Sequence, residues 1–385
     1  MSASRLNRLN FARSSCVAFL MAAGFLAQAS PASAASWLPH SLNLPSGISQ
    51  VALFGVSCSA TTTCTAVGQD WNGSNWGAHA ESGWGSGWTP QTGVLRNPGV
   101  KNGILRGVSC VPTKPCMTAG SYGNSQGESR GMLQAQASGA WSFDGIDPSS
   151  FGVADAMNAI SCASTSWCET VGWVVRVTTS YNYGGDVAFT TPPSFFDSSV
   201  LSGSNAAMNG VSCLNTNPGF CMAVGSSAPN AAAQTYNGAT GWTNTAAPAL
   251  ANGSILRSVS CVTTSWCMAV GNYHDASGDH ALAELWNGSI WTQKTLPATT
   301  TASIAYGISC VSANECHSVG AGTNDTVPQA DRWNGSTWTS ETAPLAPGAG
   351  SAALKGVSCP ATNNCEAAGW SKFGGVFTGL IETYS

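Results

Sequence analysis

Between residues 254 and 297 the chain alternates short apolar runs with polar punctuation, and the pattern predicts four strands. Ser254 to Cys261 (SILRSVSC) is apolar and β-branched, Cys267 to Tyr273 (CMAVGNY) follows suit, and His280 to Trp286 (HALAELW) alternates apolar and polar positions. Ile290 to Leu296 gives a last run, stopped by Pro297. Runs of this length between turn signals read as strands; their positions in the unit are called A, B, C and D. Asn287-Gly288-Ser289, between C and D, predicts a hairpin, because Asn-Gly readily takes the positive φ values of primed turns. Val262 to Trp266 is a short A–B loop, and His274 to Asp279 a polar B–C loop.

This unit recurs along the chain. Gly55-Val56-Ser57-Cys58, followed by Cys64-Thr65-Ala66-Val67-Gly68, has counterparts at Cys110/Cys116, Cys162/Cys168, Cys213/Cys221, Cys261/Cys267, Cys310/Cys316 and Cys359/Cys365. First cysteines lie 52, 52, 51, 48, 49 and 49 residues apart, a period that marks a propeller or solenoid built from one supersecondary unit. The C–D hairpin returns at Trp333-Asn334-Gly335-Ser336-Thr337-Trp338, and in looser form at Tyr236 to Trp242, Trp84 to Trp88 and Ala137 to Trp141. The third copy departs most: Trp173 to Gly185 enlarge its B–C connection, and Pro192-Pro193 replace the Asn-Gly turn. The last copy reads as A, B and C and then stops, whereas Trp37 to Leu44, ahead of the first copy, has the Trp start and Leu-Pro stop of a D strand. A strand missing at one end and spare at the other suits a ring, which removes the free strand edges of an open array. The expectation is an all-β fold: a seven-bladed β-propeller of four-stranded antiparallel blades over residues 35–385, closed by an N-terminal strand that completes the last blade.

Residues 37–385 resemble the broad group of secreted seven-bladed propellers with kelch-type and sialidase-type repeats. The chain has no Ser-x-Asp-x-Gly-x-x-Trp box, no recurrent Trp-Asp dipeptide and no regular Gly-Gly pair. The resemblance therefore implies a fold and no particular activity.

Residues 1–34 read as a secretory signal peptide: Arg5, Arg8 and Arg13, then the apolar run Val17 to Leu26, then Ala32-Ser33-Ala34 as a small-x-small cleavage site. The expected mature protein is extracellular and has no membrane span, since no stretch approaches the roughly 20 apolar residues required. Cleavage removes three Arg and no acidic residue, so 14 basic residues fall to 11 against 18 acidic ones, a net charge of −7. With only 8% charged residues the chain has no basic patch for phosphates, which argues against nucleic acid as a partner. Cys16 leaves with the leader, and the remaining 14 of 15 cysteines belong to the repeat, two per copy. An even set in an exported chain predicts disulfides, here within each copy. Zinc is disfavoured, because Cys-x5-Cys with no companion His is not a usual ligand spacing. No metal and no cofactor are expected, and a monomer is favoured.

Candidate chemistry is sparse. Ser57, Ser109, Ser161, Ser212, Ser260, Ser309 and Ser358 each precede a first cysteine. A nucleophile is needed once, so seven copies predict a repeated packing or hydrogen-bonding task. Strand A carries a variable position, Phe54, Arg106, Asn158, Asn209, Arg257, Tyr306 and Lys355, which on the innermost strand would ring the channel mouth. Three cations with Asn and Tyr would suit a sugar or carboxylate; the competing role is satisfying backbone groups between blades. His274, Asp275, Asp279 and His280 form the one dense titratable cluster, and a solvated loop accounts for it as well. The hairpin tryptophans could stack on sugar rings or pack between blades. Unequal B–C loops place function on their face. The leading expectation is a non-catalytic binding module for carbohydrate or a cell-surface polymer. A polysaccharide hydrolase or lyase, which needs paired carboxylates around one pocket, and a protein-interaction or adhesion scaffold are the alternatives.

Overall fold

The alternation expected over 254–297 is realised as strands in a computed structural model of the protein. It describes residues 35–92, 94, 101–112, 116–137, 140–144, 154–164, 167–177, 181–189, 201–203, 206–217, 219–238, 241–247, 250, 253–297, 302–322 and 325–385. The proposed leader and Pro192-Pro193 lie outside the described residues. Strand β1 (Trp37–Ser41) comes first. Next come β2 (Gln50–Ala60), β3 (Thr63–Trp71), β4 (Trp76–Gly83) and β5 (Thr89–Pro90), then β6 (Lys101–Ser109), β7 (Met117–Gly123), β8 (Ser129–Ala137) and β9 (Ala140–Asp144). The third group is β10 (Ala154–Ser164), β11 (Trp167–Val177), β12 (Tyr181–Phe189) and β13 (Leu201–Gly203). The fourth is β14 (Ala206–Leu214), β15 (Phe220–Ser227), β16 (Asn230–Asn237) and β17 (Gly241–Thr245). The fifth is β18 (Ser254–Thr263), β19 (Trp266–Asp275), β20 (Gly278–Trp286) and β21 (Trp291–Gln293). The sixth is β22 (Ser303–Ser312), β23 (Glu315–Gly322), β24 (Val327–Trp333) and β25 (Trp338–Glu341). β26 (Ser351–Ala361), β27 (Asn364–Phe373) and β28 (Val376–Tyr384) end the chain.

Each group of four is one antiparallel sheet, and the molecule is a β-propeller of four-stranded blades. In place of seven equivalent blades it has six contiguous ones and a closing sheet of order β1-β28-β27-β26. There Trp37 faces Tyr384 and Ser41 faces Leu380. The position-A strands β2, β6, β10, β14, β18, β22 and β26 each touch the next, and β26 touches β2. The space between sheets is filled by their apolar faces, with Leu53, Leu105, Met157, Met208, Leu256 and Leu354 fully buried. No helix among the described residues is long and apolar enough to cross a membrane.

The serine before each first cysteine has a single task. Ser57 Oγ accepts the Cys110 amide at 2.9 Å, Ser109 that of Cys162 at 2.9 Å, Ser161 that of Cys213 at 2.9 Å and Ser212 that of Cys261 at 3.0 Å. Ser260 takes Cys310 N, Ser309 takes Cys359 N and Ser358 takes Cys58 N, all at 3.0 Å. The chain of bonds returns to its start, and each one ties an inner strand to its neighbour. Disulfides close Cys58–Cys64, Cys110–Cys116, Cys162–Cys168, Cys213–Cys221, Cys261–Cys267, Cys310–Cys316 and Cys359–Cys365, each within one A–B hairpin. A loop of about seven residues gains roughly 2.4 kcal/mol in the chain-entropy account.

The B–C connections are shorter than expected. β19 runs on to Asp275 and β20 starts at Gly278, so His274 to Asp279 is mostly paired strand closed at Gly278, whose φ is +123°. The Trp173–Gly185 connection is likewise ladder, from Glu169↔Phe189 to Val177↔Tyr181. Backbone pairing satisfies amide groups that a long loop would leave to water.

Candidate functional site: the channel cavity

Every position-A strand slips register at one equivalent place. The breaks fall between Leu53 and Gly55, Leu105 and Gly107, Met157 and Ala159, Met208 and Gly210, Leu256 and Ser258, Ala305 and Gly307, and Leu354 and Gly356. The extra residue is Phe54, Arg106, Asn158, Asn209, Arg257, Tyr306 or Lys355, the seven variable positions. A β-bulge leaves one residue outside the ladder and re-aims its side chain. Here it aims all seven at a common cavity of about 480 Å³. Its neighbours in the chain are small because inner strands converge there: a Cβ on Gly107 would lie 2.9 Å from the Ala159 Cα of the next sheet.

The seven side chains divide into three kinds. Asn158 Nδ2 donates to Met208 O at 2.9 Å, and Asn209 Nδ2 donates to Leu256 O at 3.0 Å. Both therefore tie one bulge to the next, the bracing role that competed with ligand binding. Arg106 Nη1 donates to Ser121 Oγ at 2.7 Å, and Arg257 Nε to Asn272 Oδ1 at 2.9 Å. Neither guanidinium has a carboxylate partner among the described residues, and burial lowers the Arg106 pKa. Lys355 is paired: its Nζ lies 2.9 Å from Asp325 Oδ2 and 3.4 Å from the Tyr306 ring centroid. Burial lowers the Lys355 pKa and the Asp325 charge opposes that shift. Tyr306 Oη donates to Asp325 Oδ1 at 3.0 Å, and burial, then the Asp325 charge, raise its pKa. The Arg257 guanidinium stands 5.2 Å from the same ring. The cavity thus has an aromatic and lysine side, an amide side and two guanidiniums without counter-ions.

The His274 group does not converge. Alternation along the hairpin puts His274 opposite Asp279 and Tyr273 opposite His280. His280 stacks on Tyr273 with centroids 5.1 Å apart, and its Nε2 lies 3.0 Å from Asp275 Oδ1. Asp275 is held down to about 2, first by the Ser277 hydroxyl and amide. Only Asp279 communicates with the cavity, accepting from Asn272 Nδ2 at 2.9 Å while Asn272 accepts from Arg257. Asp279 supports Arg257, and the other three lie on a surface hairpin. Among the described residues one group, His317 with Cys359 and Cys365, has metal-ligand proximity. Those cysteines form a disulfide, so they offer no thiolate.

Ser121, Asn272 and Asp325 as direct partners of the ring were not legible beforehand, because they lie on B strands and a B–C turn 15 to 30 residues from the side chains they meet, and the bulges set which ones face each other. A signal for the bulges was present. Leu256 and Val259 are three apart, as are Leu53 and Val56 and Leu354 and Val357, a phase slip that regular period-two alternation does not produce.

The fold defines the class, a β-propeller, and the comparisons go no further. No protein-family model matches the chain, and no curated protein does. Solved structures share the architecture. YCF48 bound to D1 peptide is 12% identical, with 90% of this chain and 96% of that one covered at a TM-score of 0.52. YCF48 from Cyanidioschyzon merolae is 12% identical, covering 91% and 98% at 0.53. A protein of unknown function from Dyadobacter fermentans is 8% identical, covering 90% and 97% at 0.51. At such identities the likeness is one of fold alone.

Proposed function

We propose that this protein is a secreted, non-catalytic binding module that takes an acidic carbohydrate or cell-surface polymer at the channel cavity. The observation that carries this reading is the pair Arg106 and Arg257, two cations without carboxylate partners among the described residues, which line one cavity of about 480 Å³ in a protein of net negative charge. Guanidinium forks match carboxylate geometry, and desolvated cations bind anions more strongly. Tyr306 and Phe54 supply apolar faces beside them for a sugar ring. In this reading the leader is removed near Ala34, residues 35–385 are the mature domain, and the closing sheet acts as a seventh blade in the serine-linked ring.

A hydrolase or lyase is the second reading. Asp279 and Asp325 line one smaller cavity of about 250 Å³ beside Tyr306, so two carboxylates do share a pocket. Asp325 is engaged by Lys355 and Tyr306, which places this reading behind the first.

The test is calorimetric titration of the mature protein with uronate-containing and neutral oligosaccharides, with reducing ends assayed in parallel. Binding of the acidic set, weakened at least tenfold by Arg106→Ala with Arg257→Ala and weakened by salt, is the expected result. An unaltered affinity in the double variant, or no binding of any acidic saccharide, overturns the reading. Release of new reducing ends would move the enzyme reading to first place.

A further inference from the structure

Trp-Asn-Gly-Ser-x-Trp occurs three times, at Trp71 to Trp76, Trp286 to Trp291 and Trp333 to Trp338. The turns are built alike. Asn72 Oδ1 accepts from the amides of Ser74 and Asn75 at 3.0 and 2.9 Å, Asn287 from Ser289 and Ile290 at 3.0 and 3.0 Å, and Asn334 from Ser336 and Thr337 at 3.0 and 2.9 Å. The indole pairs also match, with centroids 5.4, 5.6 and 5.7 Å apart and planes at 52°, 48° and 52°. Position in the blade separates them. The second and third are C–D hairpins, whose tryptophans are 3–6% exposed and belong to the hydrophobic clusters between blades. The first joins β3 to β4, a B–C hairpin, and so lies on the opposite face. Trp71 and Trp76 are only half-buried, belong to none of the hydrophobic clusters of the described residues, and neither indole N–H has an acceptor there.

Among the described residues, the outer edge of the strand that carries Trp76 is paired only at its far end. There β5 faces Glu81 and Ser82 of β4, and Gln91 N donates to Ala80 O at 2.8 Å. A cavity of about 450 Å³ wraps the edge above, lined among others by Asp70, Asn72, Ala78, His79 and Gln91. Asn72, the turn residue next to Trp71 in the chain, lines this cavity, so the hairpin that carries both tryptophans stands beside it. Beyond the edge His79 Nδ1 lies 3.0 Å from Asp70 Oδ2 and its Nε2 2.9 Å from Glu81 Oε1. This pairing fixes the Asp70 carboxylate at the wall.

We propose that the β3–β4 hairpin is a second binding site, separate from the channel, for a neutral saccharide chain. Its pyranose C–H face stacks on the Trp71/Trp76 pair, and its hydroxyls reach the indole N–H groups, Asn72, Gln91 and the Asp70 carboxylate. An accessible indole face beside a few convergent polar groups is what such a ligand requires. An acidic chain is disfavoured, because the nearest ionisable group holds two carboxylates, Asp70 and Glu81, against the single imidazole of His79.

The experiment titrates the mature protein with neutral β-linked hexasaccharides of glucose, xylose and N-acetylglucosamine and follows tryptophan fluorescence. At least one probe is expected to quench the emission. Trp76→Ala should weaken its binding tenfold or more with Tm within about 2 °C of the parent. Trp291→Ala should lower Tm and leave affinity alone, and Arg106→Ala with Arg257→Ala should leave this binding intact. Silence of all three probes at millimolar concentration overturns the proposal. So does a Trp76→Ala protein that binds normally or melts as early as Trp291→Ala. Binding of choline in place of any sugar would reassign the indoles to cation recognition and overturn the saccharide assignment as well.

Discussion

At the scale of single residues the repeat turns on a glycine and its opposite carbonyl. In the second half of each copy the glycine that follows Val or its counterpart, such as Gly271, faces the bulged stretch of the inner strand. A Cβ there would run into the Ile255 carbonyl oxygen, and the other copies crowd in the same way, as at Gly68 beside Ala52 O and Gly369 beside Ala353 O. The missing side chain is what lets the bulge fold over its partner strand, and the bulge is what turns Arg257 into the cavity. Gly271→Ala should therefore cost about 2 kcal/mol by overpacking and also weaken ligand binding, since it moves the Arg257 backbone. Urea unfolding with calorimetry on the same variant checks both effects; full stability would mean that the bulge does not need the glycine. The repeated serine was legible as a structural residue from its seven-fold recurrence. Its acceptor role was not, because the amide it binds is some fifty residues away.

At the scale of elements the closing strand shows what period and pattern can reach. The Trp37 start and the lack of a fourth strand in the last copy pointed to the pairing of β1 with β28, and these strands do pair. What holds Trp37 lay beyond sequence reasoning. Its Nε1 donates to Glu341 Oε2 at 2.8 Å, and its ring lies 5.1 Å from Tyr384 and 6.0 Å from His317, so the strand is anchored to the preceding blade as well as to its own sheet. The B–C segments were misjudged in the opposite direction, as loops, because polar residues on a solvent-facing hairpin resemble loop composition while their backbone still pairs. Trp37→Ala should remove about 3–5 kcal/mol, read as a lower denaturant midpoint, and leave the Glu341–His317 contact of 3.2 Å in place. A midpoint unchanged by the substitution would show that the closing strand contributes little to the ring.

At the scale of the whole molecule, the gaps between blades hold carboxyl groups that burial pushes upward. Glu169 and Glu382 are raised to about 8, and Glu284, Asp331 and Glu366 to about 7, desolvation being the leading cause in each. Both oxygens of Glu284 and of Glu382 are buried without a hydrogen-bond partner, which favours the neutral acid. His79 adds to the effect: burial would lower its pKa, but the hydrogen bonds to Asp70 and Glu81 outweigh that and raise it. Each of these groups binds its proton more tightly in the folded chain than in the unfolded one. Between the ordinary carboxylate range near 4.5 and about pH 8, the unfolded chain releases protons that the folded chain keeps. Stability then falls as pH rises through this window. His40, lowered by burial, opposes the trend as a single group. Glu341 is displaced downward: burial would raise it, but His317 and Trp37 outweigh that. Asp275 is held at about 2, so both affect stability chiefly below the window. The protein should accordingly melt about 5 °C or more higher at pH 5 than at pH 8, and Glu382→Gln, neutral at every pH, should flatten part of that slope. A melting temperature that is level or rises from pH 5 to 8 would mean that the inter-blade carboxyls are ionised in the folded molecule, with water or movement of the blades supplying the solvation that the closed ring withholds.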